Sequence, residues 1–216
     1  MKHYTRAGDL KKLLAEGVAE LGIEIDDQRR RALLGYLSLL KRWNRVYNLT
    51  TVKSDADFIT RHLLDSLSVV PYLLGRKVID AGTGAGLPGI PVALACPDID
   101  VTLLDSNAKR CRFLRQVQAQ LKLKNVSIVQ QRAEKFHPHE KFDSLLSRAF
   151  SSLSSFIACS GHLLADGGQL LAMKGQWPGE ESVEMLAGFR IEDVIKLHVP
   201  GLSEQRHLII CKKTHK

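Results

Sequence analysis

No stretch of the 216 residues approaches the roughly 18 apolar positions that a membrane span needs, and the opening "MKHYTRAGDLKKLL" lacks the apolar core of a signal peptide. We therefore expect a cytoplasmic protein with no membrane partner. Cys96, Cys111, Cys159 and Cys211 are widely separated and form no C-x-x-C pair, so the sequence announces neither a zinc site nor a redox couple. Reduced thiols are expected. Repeats, low-complexity tracts and long linkers are missing as well. His137 and His139, with Glu140 beside them, sit in one irregular loop without matched partners; they read as surface residues, and no metal is expected. Acidic residues are in deficit, 23 against 31 basic ones, and the net charge of +8 favours a polyanionic partner without naming it.

What is present suits one well-cored domain with an appendage. Residues 1–74 read as a helical region. "DLKKLLAEGVAELG" is a helix stopped near Gly22, and "DDQRRRALLGYLSLLKRWNRVYNL" starts at an Asp cap and repeats Leu33, Leu37, Leu40, Trp43 and Tyr47 at helical spacing. Trp43 and Tyr47 are expected in the core. A third helix, capped by Asp55, carries Phe58, Ile59, Leu63, Leu67 and Val70 and ends at Pro71; His62 and Asp65 within it are expected to bond each other or cap the glycine loop after the first strand. From residue 75 to 216 strands and helices alternate. "KVIDAG", "VTLLD", "VSIVQ", "FDSLLS" and "GQLLAMK" are strands, separated by "GIPVALA", by "SNAKRCRFLRQVQAQLKL" with Ser106 as its cap, by a loop and by "SLSSFIACSGHLL". The fold class is therefore α/β, a doubly wound parallel sheet, closed by "IEDVIKLHV" and "RHLIICKK" as an antiparallel hairpin.

In such sheets ligands bind beyond the carboxyl ends of the strands. Asp80, Asp105, the stretch Arg132 to Glu134, Ser147 with Arg148, and Lys174 fall there. Gly84, Gly86 and Gly89 match G-x-G-x-x-G, which suggests a dinucleotide; Gly82, Gly84 and Gly86 behind Asp80 suggest S-adenosylmethionine. Asp105, 23 residues past Gly82, is at the offset of a ribose-binding carboxylate and serves either ligand. Asp80 favours the methyl donor, because a carboxylate before the turn repels a pyrophosphate and attracts an ammonium. Seven strands with the last one inserted antiparallel is also the usual plan of Rossmann-like methyltransferases, an analogy of fold alone.

The stretches "RWNRVYNLT", "RHLLDSL", "DAGTGAGLPGIPVA", "TLLDSNAKRCRFLRQV", "SRAF" and "MKG", in this order, resemble the small-subunit ribosomal RNA methyltransferase G family, also called glucose-inhibited division protein B, over essentially the whole chain. The resemblance implies methyl transfer from S-adenosylmethionine to guanine N7 in the decoding-region loop of bacterial 16S rRNA. It implies cofactor contacts at Gly82, Leu87, Ala133, Glu134 and Arg148. Asp80, Gly84, Gly86 and Asp105 join them on the logic of the fold.

Guanine N7 offers a lone pair and carries no proton, so no catalytic base is expected; alignment and water exclusion suffice. A cytosine-C5 enzyme would need a nucleophilic cysteine, but Cys96 lies away from the strand tips. An exocyclic-amine enzyme would carry Asn- or Asp-Pro-Pro-aromatic where this chain has "SRAF". For the RNA, Lys109, Arg110, Arg112, Arg115, Lys122 and Lys124 fall within 106–124 with no acidic residue among them, which suits phosphate contacts. Lys174 and Arg206, with Arg148, are expected to form a cationic rim around a flipped nucleotide. The partner is then 16S rRNA, within the small ribosomal subunit or an assembly intermediate, and nothing in the sequence demands more than a monomer.

Overall fold

The computed structural model describes residues 7–148, 150, 152–175 and 188–214; Ala149 of "SRAF" lies outside them. Helix α1 (Ala7–Glu20) ends where Gly22 takes a φ of 68°, a left-handed conformation open to glycine. Helix α2 (Asp27–Tyr47) starts as its sequence predicts: the Asp26 carboxylate accepts the Arg29 amide at 2.8 Å. It buries Leu33, Tyr36, Leu37 and Leu40, each contributing about 1.5–3 kcal/mol to folding. The third helix, α3, spans 55–67 and is capped by Ser54 rather than Asp55. Ser54 has the extended backbone that a cap requires, and its Oγ accepts the Asp57 amide at 3.1 Å, whereas Asp55 is already helical and pairs with Lys41. Within α3, Ile59–Leu64 forms a π-helical turn, a local widening that single-sequence periodicity does not reveal.

The strands are β1 (Lys77–Ala81), β2 (Asp100–Asp105), β3 (Val126–Gln130), β4 (Phe142–Ser147), β5 (Leu164–Lys174), β6 (Phe189–Leu197) and β7 (Arg206–Lys213). They form one sheet in the order β3-β2-β1-β4-β5-β7-β6. The first five strands run parallel, and β7 enters antiparallel between β5 and β6. From β1 the chain winds outward to β3 and then returns to β4 on the other side. The reversal opens a crevice at the carboxyl ends of β1 and β4.

Helices α4 (Gly89–Ala95), α5 (Ala108–Leu121) and α6 (Leu153–Ser160) cover the sheet. The α5 cap is Asn107, not Ser106. Asp105 takes the Asn107 amide at 2.8 Å, which delays the helix by one residue, and Asn107 Oδ1 then accepts the Lys109 amide at 2.9 Å. Successive β1 residues serve opposite faces. Val78 joins Leu14, Leu33, Leu40 and Leu63 of α1–α3 with Ile90 and Phe113 in one core, while Ile79 joins Phe156, Leu170 and Phe189 in the other. The helical region and one face of the sheet thus share a single apolar cluster. No described helix is long and apolar enough to cross a membrane.

Candidate active site

The turn after β1 is held from behind. Asp80 is only 1% exposed, and its Oδ2 accepts the Thr83 hydroxyl at 2.6 Å and the Gly89 amide at 2.8 Å. Its Oδ1 is buried without a hydrogen-bond partner among the described residues, and burial raises the carboxyl to a pKa of about 6 against the pull of those two donors. Tyr36 of α2 donates its hydroxyl to the Ala85 carbonyl at 2.7 Å, which ties the helical region to the same turn. Gly82 and Gly84 have φ of 71° and 61°; a Cβ on Gly82 would touch the Phe150 ring at 3.4 Å, and one on Gly84 would meet the Gly82 carbonyl at an ordinary 3.9 Å. Those two positions present bare backbone to the crevice.

One cavity borders this turn and a second opens at the ends of β4 and β5. The first, of about 270 Å³, is bordered by Gly82, Asp105, Arg110, Ala133, Glu134 and Phe150. Asp105 ends β2 there, its Oδ2 accepting the Gly84 amide at 3.0 Å and an Arg110 guanidinium N–H at 3.2 Å. The other, of about 340 Å³, is bordered by Arg61, His62, Asp65, Arg148, Lys174 and Arg206. Asp65, 3% exposed, is its organising group: Oδ2 accepts from Arg148 Nη1 at 3.0 Å and Oδ1 from Arg206 Nε at 2.9 Å. The backbone carbonyl of Arg61 takes a second bond from Arg148 Nη1 and one from His62 Nδ1, each 3.0 Å. His62 Nε2 meets the Thr50 hydroxyl at 2.7 Å. Burial first, then the nearby Arg148 charge, push the imidazole down to a pKa of about 4, so it is neutral near pH 7. Lys174 donates to the Phe150 carbonyl at 3.0 Å, linking this cavity to the ring that lines its neighbour.

The family model described as rRNA small subunit methyltransferase G matches residues 29–209. The chain belongs to that family. A ribosomal RNA small subunit methyltransferase G from Shewanella amazonensis is 46% identical, over 93% of this chain and 97% of its own length. The protein of that name from Salmonella arizonae is 49% identical, over 89% and 93%. Among solved structures, the glycopeptide N-methyltransferase MtfA complexed with S-adenosyl-L-methionine superposes with a TM-score of 0.59 at 12% identity, covering 71% of this chain and 88% of MtfA, a likeness of fold. As a methyltransferase G family member the chain is an S-adenosylmethionine-dependent rRNA methyltransferase.

The residues fit the cofactor. A buried, unpartnered carboxylate oxygen on Asp80 is relieved by a cation placed over the turn. Asp105 with two bare glycine positions and the Phe150 ring forms a cradle suited to a nucleoside. The G-x-G-x-x-G register has a packing reason instead: a Cβ on Gly86 would meet Ile90 Cγ1 at 2.6 Å and one on Gly89 would meet Leu103 Cδ2 at 2.3 Å.

The other sequence expectations distribute unevenly over the two cavities of this methyltransferase G member. Gly82, Asp105, Ala133 and Glu134 border the first. Asp80 lies behind it, and Gly86 and Leu87 face the core, leaving only their backbone for a ligand. Arg148, expected among cofactor contacts, borders the second cavity with Lys174 and Arg206. Arg110, expected on RNA, sits on Asp105 because the first turn of α5 folds it back over the strand end. Lys109 is exposed with Arg112, Arg115, Lys122 and Lys124. His62 and Asp65 neither bond each other nor cap the glycine turn. Tyr47, expected in the core, is 41% exposed, while Trp43 is partly buried. Sequence reasoning missed Tyr36, Thr83 and the clamp made by Asp65. Thr83, three residues past Asp80 in a turn, carried a local signal; the partners of Tyr36 and Asp65 are too distant in sequence to leave one.

Proposed function

We propose that the protein transfers the S-adenosylmethionine methyl group to guanine N7 in the decoding-region loop of 16S rRNA, acting as a cytoplasmic monomer on the small subunit or an assembly intermediate. Residues 75–216 hold the cofactor, and the helical region 1–74 contributes Arg61, His62 and Asp65 to the nucleotide side. The bound cofactor supplies an electrophilic methyl group on a sulfonium. Asp105 takes the ribose hydroxyls, Gly82 and Gly84 admit the ligand to the backbone, Ala133 and Glu134 border the base, and the Asp80 charge faces the tail ammonium from behind the turn. Leu87 and Gly86 shape the turn. Arg148, Lys174 and Arg206 form a cationic rim for the target nucleotide and its phosphate.

The observation that carries the N7 assignment is the state of the proton acceptors in the Asp65 cavity. His62 is neutral with both ring nitrogens engaged, and both Asp65 oxygens are held by arginines. A nucleophile that had to lose a proton would find no free base there among the described residues; guanine N7 needs none. Alignment and exclusion of water by the packed rim then carry the rate. Deleting the gene and mapping N7-methylguanosine in 16S rRNA by chemical cleavage or mass spectrometry tests the assignment, and persistence of every such nucleotide refutes it. Arg206→Ala tests the rim: rRNA methylation weakens while S-adenosylmethionine affinity holds, and equal loss of both refutes it.

A further inference from the structure

The exposed end of α2 has no role in the cavities described above. Val46 is 71% exposed and Tyr47 41%; with Leu74 they are the exposed large apolar side chains among the described residues. Tyr47 is nevertheless held in place. Its ring lies 5.0 Å from that of Trp43 at 33°, and Trp43 is fixed by the Phe113 ring at 5.4 Å and by its indole N–H to Gln116 Oε1 at 2.9 Å. An aromatic ring is thus backed by a second one, anchored to α5, with its outer part in solvent.

The charge around it is of one sign. Neither 28–54 nor 106–124 contains an acidic residue. Arg42 and Arg45 on α2 and Lys109, Arg112 and Arg115 on α5 are exposed, and among the described residues their side chains form no ion pair or hydrogen bond. Several cations elsewhere on the surface are neutralised, as in Arg29 with Asp26, Arg30 with Asp27 and Lys77 with Glu140. The patch also adjoins both cavities. Three residues past Tyr47, within about 11 Å of chain, Thr50 bonds His62 in the cavity of Asp65. Helix α5 begins three residues past Asp105.

We infer that the α2 end and the outer face of α5 form one RNA-docking surface, on which Tyr47 stacks a base flanking the target nucleotide while Arg42, Arg45, Lys109 and Arg112 neutralise phosphates. The inference rests on the RNA reading above and names the surface that receives the strand on either side of the reacting guanosine. Stacking suits the splayed bases of a single-stranded loop, and unpaired cations suit its backbone. A protein partner on Val46 and Tyr47 would have to desolvate the same cations without a counter-charge, so the polyanion is the better occupant.

The test uses the full chain with 16S rRNA and with small ribosomal subunits, both purified from a deletion strain. Tyr47→Ala weakens RNA affinity by roughly tenfold and raises KM for RNA, with kcat at saturating RNA, S-adenosylmethionine affinity and Tm unchanged. Tyr47→Phe restores affinity. The double variant Arg45→Gln/Arg112→Gln flattens the slope of log affinity against log salt by about 1.4, roughly 0.7 for each single-strand phosphate contact. Wild-type RNA affinity and salt slope in these variants overturn the docking surface. So does a loss shared with cofactor affinity or Tm, or a failure of Tyr47→Phe to restore binding. If the wild-type protein turns over and the variants match it, the docking surface alone falls; if the wild-type protein forms no N7-methylguanosine on either RNA, the underlying substrate reading falls with it.

Discussion

Replacing Asp65 by Asn removes one charge from the buried cluster of Asp65, Arg148 and Arg206 and leaves its shape in place. Asp65 is 4% exposed at its side chain, and the two arginines it holds, Arg148 and Arg206, are 21% and 20% exposed, so solvent screens the pair only in part. Removing one partner of a buried ion pair costs about 3–5 kcal/mol. The introduced carboxamide would keep one carbonyl acceptor for one guanidinium, which places the loss near the lower bound, about 3 kcal/mol, comparable with one charge-assisted hydrogen bond. For a chain of this length about 2–4 °C of Tm follows each kcal/mol, giving a fall of about 6–12 °C. Chemistry suffers separately. With the clamp gone, two guanidiniums repel each other across the cavity, and Arg148 leaves the Arg61 carbonyl that also orients His62. The cavity becomes more positive, so RNA still binds and the loss falls on kcat. Thermal unfolding and single-turnover methylation of small subunits measure the two effects. A Tm within about 1 kcal/mol of wild type, about 2–4 °C, together with unchanged turnover would show that Asp65 positions nothing.

Two further outcomes follow from groups near the glycine turn. Burial raises the Asp80 pKa from 3.8 to about 6, so the folded state keeps its proton longer than the unfolded chain and stability falls as pH rises from about 4 to 6. His62, lowered from 6.5 to about 4, has the opposite sign, because the unfolded chain binds its proton first and stability rises across the same window. Each is worth about 3 kcal/mol and they offset one another; Asp80→Asn should expose a climb from pH 4 to 6 in denaturant titrations, and a flat profile in that variant contradicts the assignment. Gly86→Ala drives a Cβ to 2.6 Å from Ile90 and 2.9 Å from Leu114 at a φ of 89°, costing about 2–4 kcal/mol, whereas Gly84→Ala clashes with nothing, its Cβ meeting the Gly82 carbonyl at 3.9 Å, and costs backbone strain of about 1 kcal/mol. Thermal scans that rank the two equally would refute the division of the loop into a packing position and a ligand position.

The cofactor half of the protein was legible because its signals are local. Strand-ending Asp80 and Asp105, the glycines between them and the alternation of strands and helices all lie within short windows, and the sheet order and inserted β7 agree with them. The errors there are small and have local causes: Ser54 and Asn107, not their neighbours, had the extended backbone needed for a cap. The nucleotide half was legible only as residue types. Arg148, Lys174 and Arg206 were readable as cations near strand ends, yet the carboxylate that gathers two of them comes from α3, more than 80 residues earlier than Arg148. A periodic pattern places Asp65 and Tyr47 on helices without saying what stands opposite, and helical spacing alone put Tyr47 in a core that the end of α2 does not reach.

The two halves meet through backbone carbonyls rather than through charge alone. Tyr36 donates to Ala85 within the glycine turn, and Arg148, from the end of β4, donates to Arg61 within the π turn of α3. Each carbonyl belongs to a segment whose conformation is locally irregular, and each donor comes from the other part of the chain. A π turn costs helical hydrogen-bond geometry, so its persistence in 59–64 needs compensation from outside the helix. Arg148 supplies that compensation at the Arg61 carbonyl, and Thr50 fixes the His62 ring beside it. The irregular helix, the neutral histidine and the arginine clamp therefore form one interdependent unit. Weakening any member should loosen the nucleotide side while the glycine turn, anchored separately by Asp80, Thr83 and Gly89, keeps its shape.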